Sequence, residues 1–243
     1  MLSQLSAAYQ TYRLAVAKLP KALRSRASAP LLISPHTKWS KCSTKLLIVG
    51  QETNGWGSNP TSKEEVPLET LDAFASSPNG VESMVSAYKA FDFARTYRHR
   101  NSAYWRAFRY LEGEVAISPC SAMWTNLFKV DVSGSVMKNC KVGHRRLLRA
   151  AQSGLLVEEI RLLKPQIVIF FTGPHYDEEL LNAFPDATLS PLLRGHDVRE
   201  AALVHSQFLP ACSVRTYHPT YLQRSRRWGL LEEVATAIRA QSR

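Results

Sequence analysis

Four short apolar runs, each ending in a polar cluster, constrain the fold of this chain more than any other feature. They cover residues 46–49, 123–126, 167–171 and 214–217. Each is bounded by turn residues and is rich in β-branched or aromatic side chains, as is typical of buried parallel strands. Helical patterns between the runs predict an α/β fold. We expect a three-layer α/β/α sandwich with a central, mainly parallel four-stranded sheet.

Polar residues lie in or directly after the ends of these predicted strands. They are Glu52, Asn126, Thr172 and His218. In an open α/β sheet, ligands bind in the crevice outside the carboxyl ends of the strands. A carboxylate, an amide and an imidazole are therefore expected to converge there from distant parts of the chain.

Helical periodicity predicts further elements and a single domain. The predicted helices cover residues 3–19, 81–98, 102–111, 145–163, 177–184 and 222–240. Tyr104, Trp105 and Phe108 share one face of the third, and aromatic stripes at this spacing usually belong to the core. Repeats, low-complexity tracts and linkers are absent from the sequence. We therefore expect one domain over residues 1–243, with residues 1–44 as a basic helical extension packed on it.

The charge of the chain predicts a polyanionic partner. The formal net charge is +11, which points to DNA or another nucleic acid, although charge can also serve solubility alone. No acidic residue precedes Glu52, while cations accumulate there: Arg13, Lys18, Lys21, Arg24, Arg26, Lys38, Lys41 and Lys45. This pattern predicts a basic helix beside the DNA path. The alternative is an organellar transit peptide.

The spacing of the cysteines and the hydropathy of the chain predict its cellular compartment. The four cysteines, Cys42, Cys120, Cys140 and Cys212, form no closely spaced pair. This spacing predicts free thiols in a reducing, cytoplasmic setting and argues against an iron–sulfur cluster, so we expect no metal or cofactor. No apolar stretch approaches the roughly 20 residues needed to span a bilayer. We expect a monomer with no membrane contact.

Two motifs then point to a family. Gly50-Gln51-Glu52-Thr53-Asn54 and His218-Pro219-Thr220-Tyr221-Leu222 resemble the water-positioning and base-gripping motifs of the uracil-DNA glycosylase superfamily. Residues 124–129 resemble the strand that presents a base-reading Asn. Residues 163–169 with Thr172-Gly173-Pro174 resemble the penultimate strand and its turn. The resemblance runs from about Lys45 to the C-terminus and implies a monofunctional DNA glycosylase.

The resemblance implies catalytic roles for two residues. Glu52 would orient the attacking water and stabilise the cationic sugar, and His218 would donate a hydrogen bond to the departing base. Asn126 would read the Watson–Crick edge of the flipped base. Structural alternatives remain open for each residue. Glu52 can cap loop amides, His218 can be a turn residue, and Asn126 can hold loops at the end of the sheet.

Further residues are assigned to the base pocket and the DNA path. Gln51, Asn54 and Trp56 would contact the base, although Trp56 can equally anchor its loop. The family has a Tyr that blocks C5 of the pyrimidine where Asn54 stands, so 5-substituted bases, including those of phage DNA, would be admitted.

The DNA path would be formed by the two later motifs. Backbone amides of Thr172 and Gly173 would meet a phosphate. Leu222 would act as a wedge beside Tyr221. Arg224 and Arg226 would neutralise phosphates, or form an ordinary solvated face.

Two rival functions remain open. The first is a nucleic-acid-binding protein that keeps the fold without the chemistry, favoured by Glu52 in place of the family's Asp. The second is a hydrolase of a nucleotide-like small molecule, which the charge makes less economical. Lyase activity is not expected, since no Lys stands at a strand end to form a Schiff base.

Overall fold

A computed structural model of the chain describes residues 1–53, 56, 68–93, 101–116 and 121–241. Within it the chain forms two compact units. The first contains the described parts of Met1–Pro35, Glu52–Ala94 and Thr125–Leu163. The second contains the described parts of His36–Gln51, Arg95–Trp124 and Lys164–Arg243. The expectation of one domain stays a prediction.

The second unit is built on a mixed sheet. Its described strands are β1 (Leu46–Gly50), β2 (Ala122–Asn126), β3 (Ile167–Phe170), β4 (Thr188–Pro191), β5 (Ala201–His205) and β6 (Cys212–Thr216). Residues 125 and 126 of β2 are counted with the first unit. The strand order is β2-β1-β3-β6-β5-β4. β1, β3 and β6 are parallel, whereas β5 is antiparallel to β6 and β4 is antiparallel to β5.

The α/β class predicted from the sequence is therefore confirmed, whereas the prediction of a four-stranded, mainly parallel sheet is not confirmed. The four predicted runs coincide with β1, β2, β3 and β6, and the described sheet gains β4 and β5 at one edge. The run from Leu46 to Val49 is fully buried, as a central strand requires. β4 is half-buried or exposed along its length, and it ends at Pro191, which suits an edge strand.

Most of the described helices follow the predicted pattern, but two predicted helices are broken and two short helices were not predicted. The described helices are α1 (Leu2–Ala17), α2 (Lys21–Arg24), α3 (Leu71–Ser76), α4 (Gly80–Phe93), α5 (Ala103–Leu111), α6 (Val142–Ala151), α7 (Leu155–Leu163), α8 (Asp177–Ala183), α9 (Pro219–Arg224) and α10 (Gly229–Gln241). The predicted helix 145–163 divides at Gly154, where φ is +75°. The predicted helix 222–240 divides near Arg226, where φ is +56°. Residues 94–98 of the predicted helix 81–98 lie outside the described part.

In the first unit, α1 packs through one stripe of side chains. Leu5, Tyr9, Tyr12 and Val16 are buried at helical spacing, and α1 contacts α3, α4, α6 and α7. Its Arg13 donates to the carbonyl oxygens of residues 75 and 77 at 3.1 and 3.0 Å. Part of the N-terminal basic charge therefore serves the fold itself.

A buried ion pair lies beneath this helix. Lys129 Nζ is 2.5 Å from Glu159 Oε2, and both side chains are at most 1% exposed. The hydroxyl of Thr125 donates to the same carboxylate at 3.2 Å, and that of Tyr9 lies 3.1 Å from its other oxygen. Burial lowers the pKa of Lys129 and raises the pKa of Glu159, while each charge partly offsets the shift of its partner.

No helix formed by the described residues is long and apolar enough to cross a membrane. Within the same residues, Cys42, Cys140 and Cys212 are free thiols, and Cys120 lies outside them.

Candidate functional site

Polar residues that follow β1, β3 and β6 lie at the carboxyl-terminal edge of the second unit's sheet, where these three parallel strands end. The parallel register aligns Val49, Phe170 and Arg215 across the three strands. Extending this register by two residues brings Gln51, Thr172 and Tyr217 into one row. The side-chain amide of Gln51 donates to the carbonyl oxygen of Thr172 at 2.8 Å. Gln51 therefore ties two strand ends together.

His218 holds a defined orientation at this edge because it begins a helix. It is the N-cap of α9, and its Nδ1 accepts the backbone N–H of Thr220 at 3.2 Å. Pro219 occupies the first helical position, where its missing N–H costs nothing. The His-Pro-Thr sequence therefore sets the imidazole in place by the ordinary physics of helix capping.

The capping bond also fixes the proton on the ring. Burial lowers the pKa of His218 to about 4, so the imidazole is neutral at physiological pH. Since Nδ1 accepts a hydrogen bond, the single proton resides on Nε2. Nε2 makes no hydrogen bond with the described residues. The edge of the sheet thus presents a neutral N–H donor.

Tyr104 also lies at this edge, although its helical spacing predicts a place in the core. Its ring is stacked on His218, with centroids 6.0 Å apart and an interplanar angle of 29°. It also meets Phe171 edge-on at 5.9 Å. Helical spacing shows only that Tyr104 shares a face with other aromatic residues. No sequence signal reveals that this face packs on the imidazole.

The predicted phosphate contact at Thr172 and Gly173 does not fit the structure. The N–H of Gly173 donates to the carbonyl oxygen of Thr216 at 3.0 Å, so it is not available to a ligand. Gly173 has a φ of +67°, which a glycine adopts without strain. Thr172 is buried at 1% exposure, which removes it from a surface that meets the DNA backbone. Both residues are therefore reassigned from phosphate binding to a structural role at the end of β3.

The wedge predicted at Leu222 is also corrected. Leu222 is fully buried in α9, so it would have to leave the core to enter a base stack. The neighbouring Tyr221 is 47% exposed and packs on Tyr217, with ring centroids 4.5 Å apart. Arg224 and Arg226 are exposed, and their contact with phosphates stays a prediction.

The remaining predicted residues belong to the first unit or lie outside the described part. Glu52 is half-buried directly after Gln51. The next side chain, Thr53, donates to Asp131 Oδ2 at 2.8 Å and lies 3.0 Å from the hydroxyl of Ser28, which fixes the start of the loop. Asn126 ends β2 at 4% exposure, and its side-chain amide makes no hydrogen bond with the described residues.

The base-stacking role of Trp56 does not fit its burial. Trp56 is 6% exposed and meets Phe91 edge-on at 5.7 Å, as a loop anchor would. Asn54, assigned to the base pocket, lies outside the described residues. The convergence of Glu52 and Asn126 with His218 stays a prediction.

Among the described residues, no three His, Cys, Asp or Glu side chains cluster so as to hold a metal ion.

No protein-family model matches the chain, and no curated protein matches its sequence at a significant level. The resemblance to the uracil-DNA glycosylase superfamily therefore rests on the sequence motifs alone and stays a prediction.

Proposed function

We propose that the protein is a monofunctional DNA glycosylase. It would flip a uracil or a C5-modified pyrimidine out of DNA and hydrolyse its N-glycosidic bond. The observation that carries this proposal is the state of His218, a neutral imidazole whose Nε2–H has no hydrogen-bond partner among the described residues. Such a donor can stabilise a leaving group on which negative charge develops.

The proposed reaction breaks the bond between the sugar C1′ and the pyrimidine N1. The bonding electron pair leaves with the base, and its charge spreads onto the carbonyl oxygens. His218 Nε2–H donates to one of these oxygens, and this interaction strengthens as the charge grows in the transition state. The pKa of His218 lies well below physiological pH, so the imidazole is already neutral when it donates this hydrogen bond. No proton has to leave the ring before the reaction begins.

Water completes the reaction at C1′. In this proposal the Glu52 carboxylate orients that water, opposes the cationic character of the sugar and takes the proton that the water loses. The base anion is protonated by solvent after it departs. Gln51 holds the ends of β1 and β3 together through its bond to Thr172, and Asn126 supplies an amide suited to a base edge.

The charge of the chain supports DNA as the partner. The net charge of +11 favours a polyphosphate, and the exposed Arg224 and Arg226 follow the same strand end as His218. We further propose that the protein acts as a monomer in the reducing cytoplasm. Its role would be base-excision repair or attack on modified foreign DNA.

One assay tests the proposal. Duplex oligonucleotides containing uracil, mismatched thymine or a 5-modified cytosine are incubated with the protein, and abasic sites are then cleaved with alkali. Strand breaks at the target base are expected with the wild type and not with His218→Asn. DNA binding without strand breaks on any substrate would instead support the non-catalytic rival. Failure to bind DNA at all would overturn both.

A further inference from the structure

The hydroxyl of Tyr104 is a buried polar group that the fold does not use. Its oxygen is shielded from solvent and makes no hydrogen bond with the described residues. Buried polar groups in native proteins are nearly always hydrogen-bonded, and an unpaired one weakens the fold. A Phe at this position would supply the same packing without that cost.

The ring of Tyr104 is held in place without its hydroxyl. Ser102 caps α5 by accepting the N–H of Trp105 at 3.4 Å, which sets the start of the helix just before Tyr104. The ring then packs on His218 at 6.0 Å, on Phe171 at 5.9 Å and on Trp105 at 5.0 Å. Ring contacts therefore account for its orientation, and the hydroxyl adds no hydrogen bond among the described residues.

We propose that the Tyr104 hydroxyl hydrogen-bonds the extruded base and is a specificity-determining residue of the site. It binds one polar atom of the base while His218 Nε2–H donates to a carbonyl oxygen. That the ligand is a nucleobase rests on the proposed function. That the hydroxyl serves a ligand rests on its burial and its missing partner.

The chemistry of the hydroxyl defines what it can bind. Burial raises the pKa of Tyr104 far above its ordinary value, so the group stays protonated and can both donate and accept. It can therefore pair with a carbonyl oxygen, an imino N–H or a hydroxymethyl substituent. A base that presents only carbon to it leaves the hydroxyl unpaired, and sites built in this way reject such ligands strongly.

Thr172 supplies a second hydroxyl of the same kind. It follows β3, is 1% exposed, and its Oγ1 makes no hydrogen bond with the described residues. Its carbonyl oxygen is held by Gln51 at 2.8 Å, so the backbone that carries this hydroxyl is fixed. Two unused hydroxyls near the strand ends strengthen the inference drawn from Tyr104.

The first test measures the stability of the free protein. Tyr104→Phe and Thr172→Val remove one hydroxyl each and nearly conserve shape. The thermal midpoint of each variant is expected to equal or exceed that of the wild type, since an unpaired buried group is lost. Tyr110→Phe, which makes the same change on the same helix, is the matched control.

The second test measures base recognition separately from DNA binding. The probes are duplexes carrying 2′-fluoro-2′-deoxyuridine or its 5-hydroxymethyl analogue, in which the fluorine slows departure of the base. A plain duplex of the same sequence is the reference. Tyr104→Phe is expected to lower the preference for the better-bound probe over plain DNA about tenfold, the scale of one hydrogen bond. Its affinity for plain DNA should stay unchanged, and Tyr110→Phe should retain the full preference.

The outcomes separate this inference from the proposed function. If the wild type does not prefer either probe over plain DNA, the result argues against pyrimidine excision. The stability test then still shows whether the fold uses the Tyr104 hydroxyl. A fall of about 2–4 °C or more in the midpoint of Tyr104→Phe, relative to Tyr110→Phe, would show that the hydroxyl serves the fold and would overturn the inference. A stable Tyr104→Phe with unchanged preference for the probe would overturn it equally.

Discussion

The imidazole of His218 accepts the backbone N–H of Thr220 at 3.2 Å and thereby caps α9. This bond gives the residue a structural role that can be separated from its proposed chemical one. Asn is among the best N-cap residues, because its side-chain oxygen accepts the same N–H. It has no group that reproduces the Nε2–H donor of the imidazole.

We therefore expect His218→Asn to keep the fold and lose the reaction. At pH 8 its free energy of unfolding should lie within about 1 kcal/mol of the wild type, since the cap remains. Single-turnover excision should fall by about 100-fold or more, the usual effect of removing an oxyanion donor. The corresponding Ala variant should lose both excision and roughly 1 kcal/mol of stability. An active His218→Asn would remove His218 from the chemistry.

The depressed pKa of His218 predicts how stability depends on pH. In the unfolded chain the imidazole gains its proton near its ordinary pKa of 6.5, whereas the folded protein resists protonation until about pH 4. Between these values the unfolded state binds more protons, so the free energy of unfolding falls as the pH is lowered. From pH 8 to pH 5 the wild type should lose about 1–2 kcal/mol more than His218→Asn, as urea denaturation of both would measure. Equal losses would mean that the ring is not protected from protons.

Glu52→Gln tests the carboxylate. The amide has nearly the same shape and loses the negative charge that opposes the cationic sugar, and each ~1.4 kcal/mol lost there is tenfold in rate. Excision should fall by orders of magnitude with DNA affinity retained. Glu69→Gln, an exposed carboxylate in the same unit, is the control and should react at the wild-type rate. Full activity in Glu52→Gln would assign the water to another residue.

Two neighbouring glutamates in α7 allow a matched test of the buried ion pair. Glu159→Gln leaves Lys129 buried without its counter-charge and should cost about 3 kcal/mol or more of unfolding free energy. Glu158→Gln breaks only the solvent-accessible pair with Arg161 and should cost under about 0.5 kcal/mol. Urea denaturation measures both. Equal effects would contradict the burial of the Lys129 pair.

The sequence predicts the strand ends well because a buried parallel strand has a strong local signal. Residues 46–49 and 167–170 are wholly apolar, and the strands that they form are completely buried. β4 escapes prediction, because an edge strand such as Thr-Leu-Ser-Pro carries neither an apolar run nor a clear alternation. β5 does contain a short apolar run, but periodicity alone does not distinguish such a run from a buried helical segment. The antiparallel pairing of β5 with β6, and of β4 with β5, is a tertiary contact that no local pattern encodes.

Other features were unpredictable because they depend on packing. Arg215 lies inside β6, is fully buried, and pairs with Asp177 at 2.9 Å. The left-handed φ of Arg226 ends α9 without the glycine that usually marks such a turn. The contact of Tyr104 with His218 joins residues 114 positions apart in the sequence, and helical periodicity contains no information about it.

Arg226, with its left-handed backbone conformation, provides the sharpest test of DNA binding. Arg226 follows α9 beyond the carboxyl end of β6, whereas Lys164, also exposed and with a φ of +50°, precedes β3 at its amino end. Arg226→Asn and Lys164→Asn each remove one charge, and Asn tolerates the left-handed conformation at both positions. If Arg226 meets a phosphate, its loss should reduce the slope of log affinity against log salt concentration by about 0.9, while Lys164→Asn should leave it unchanged. Fluorescence anisotropy over a range of salt concentrations measures both slopes. Equal slopes in the two variants would indicate that DNA does not bind at the carboxyl end of the sheet.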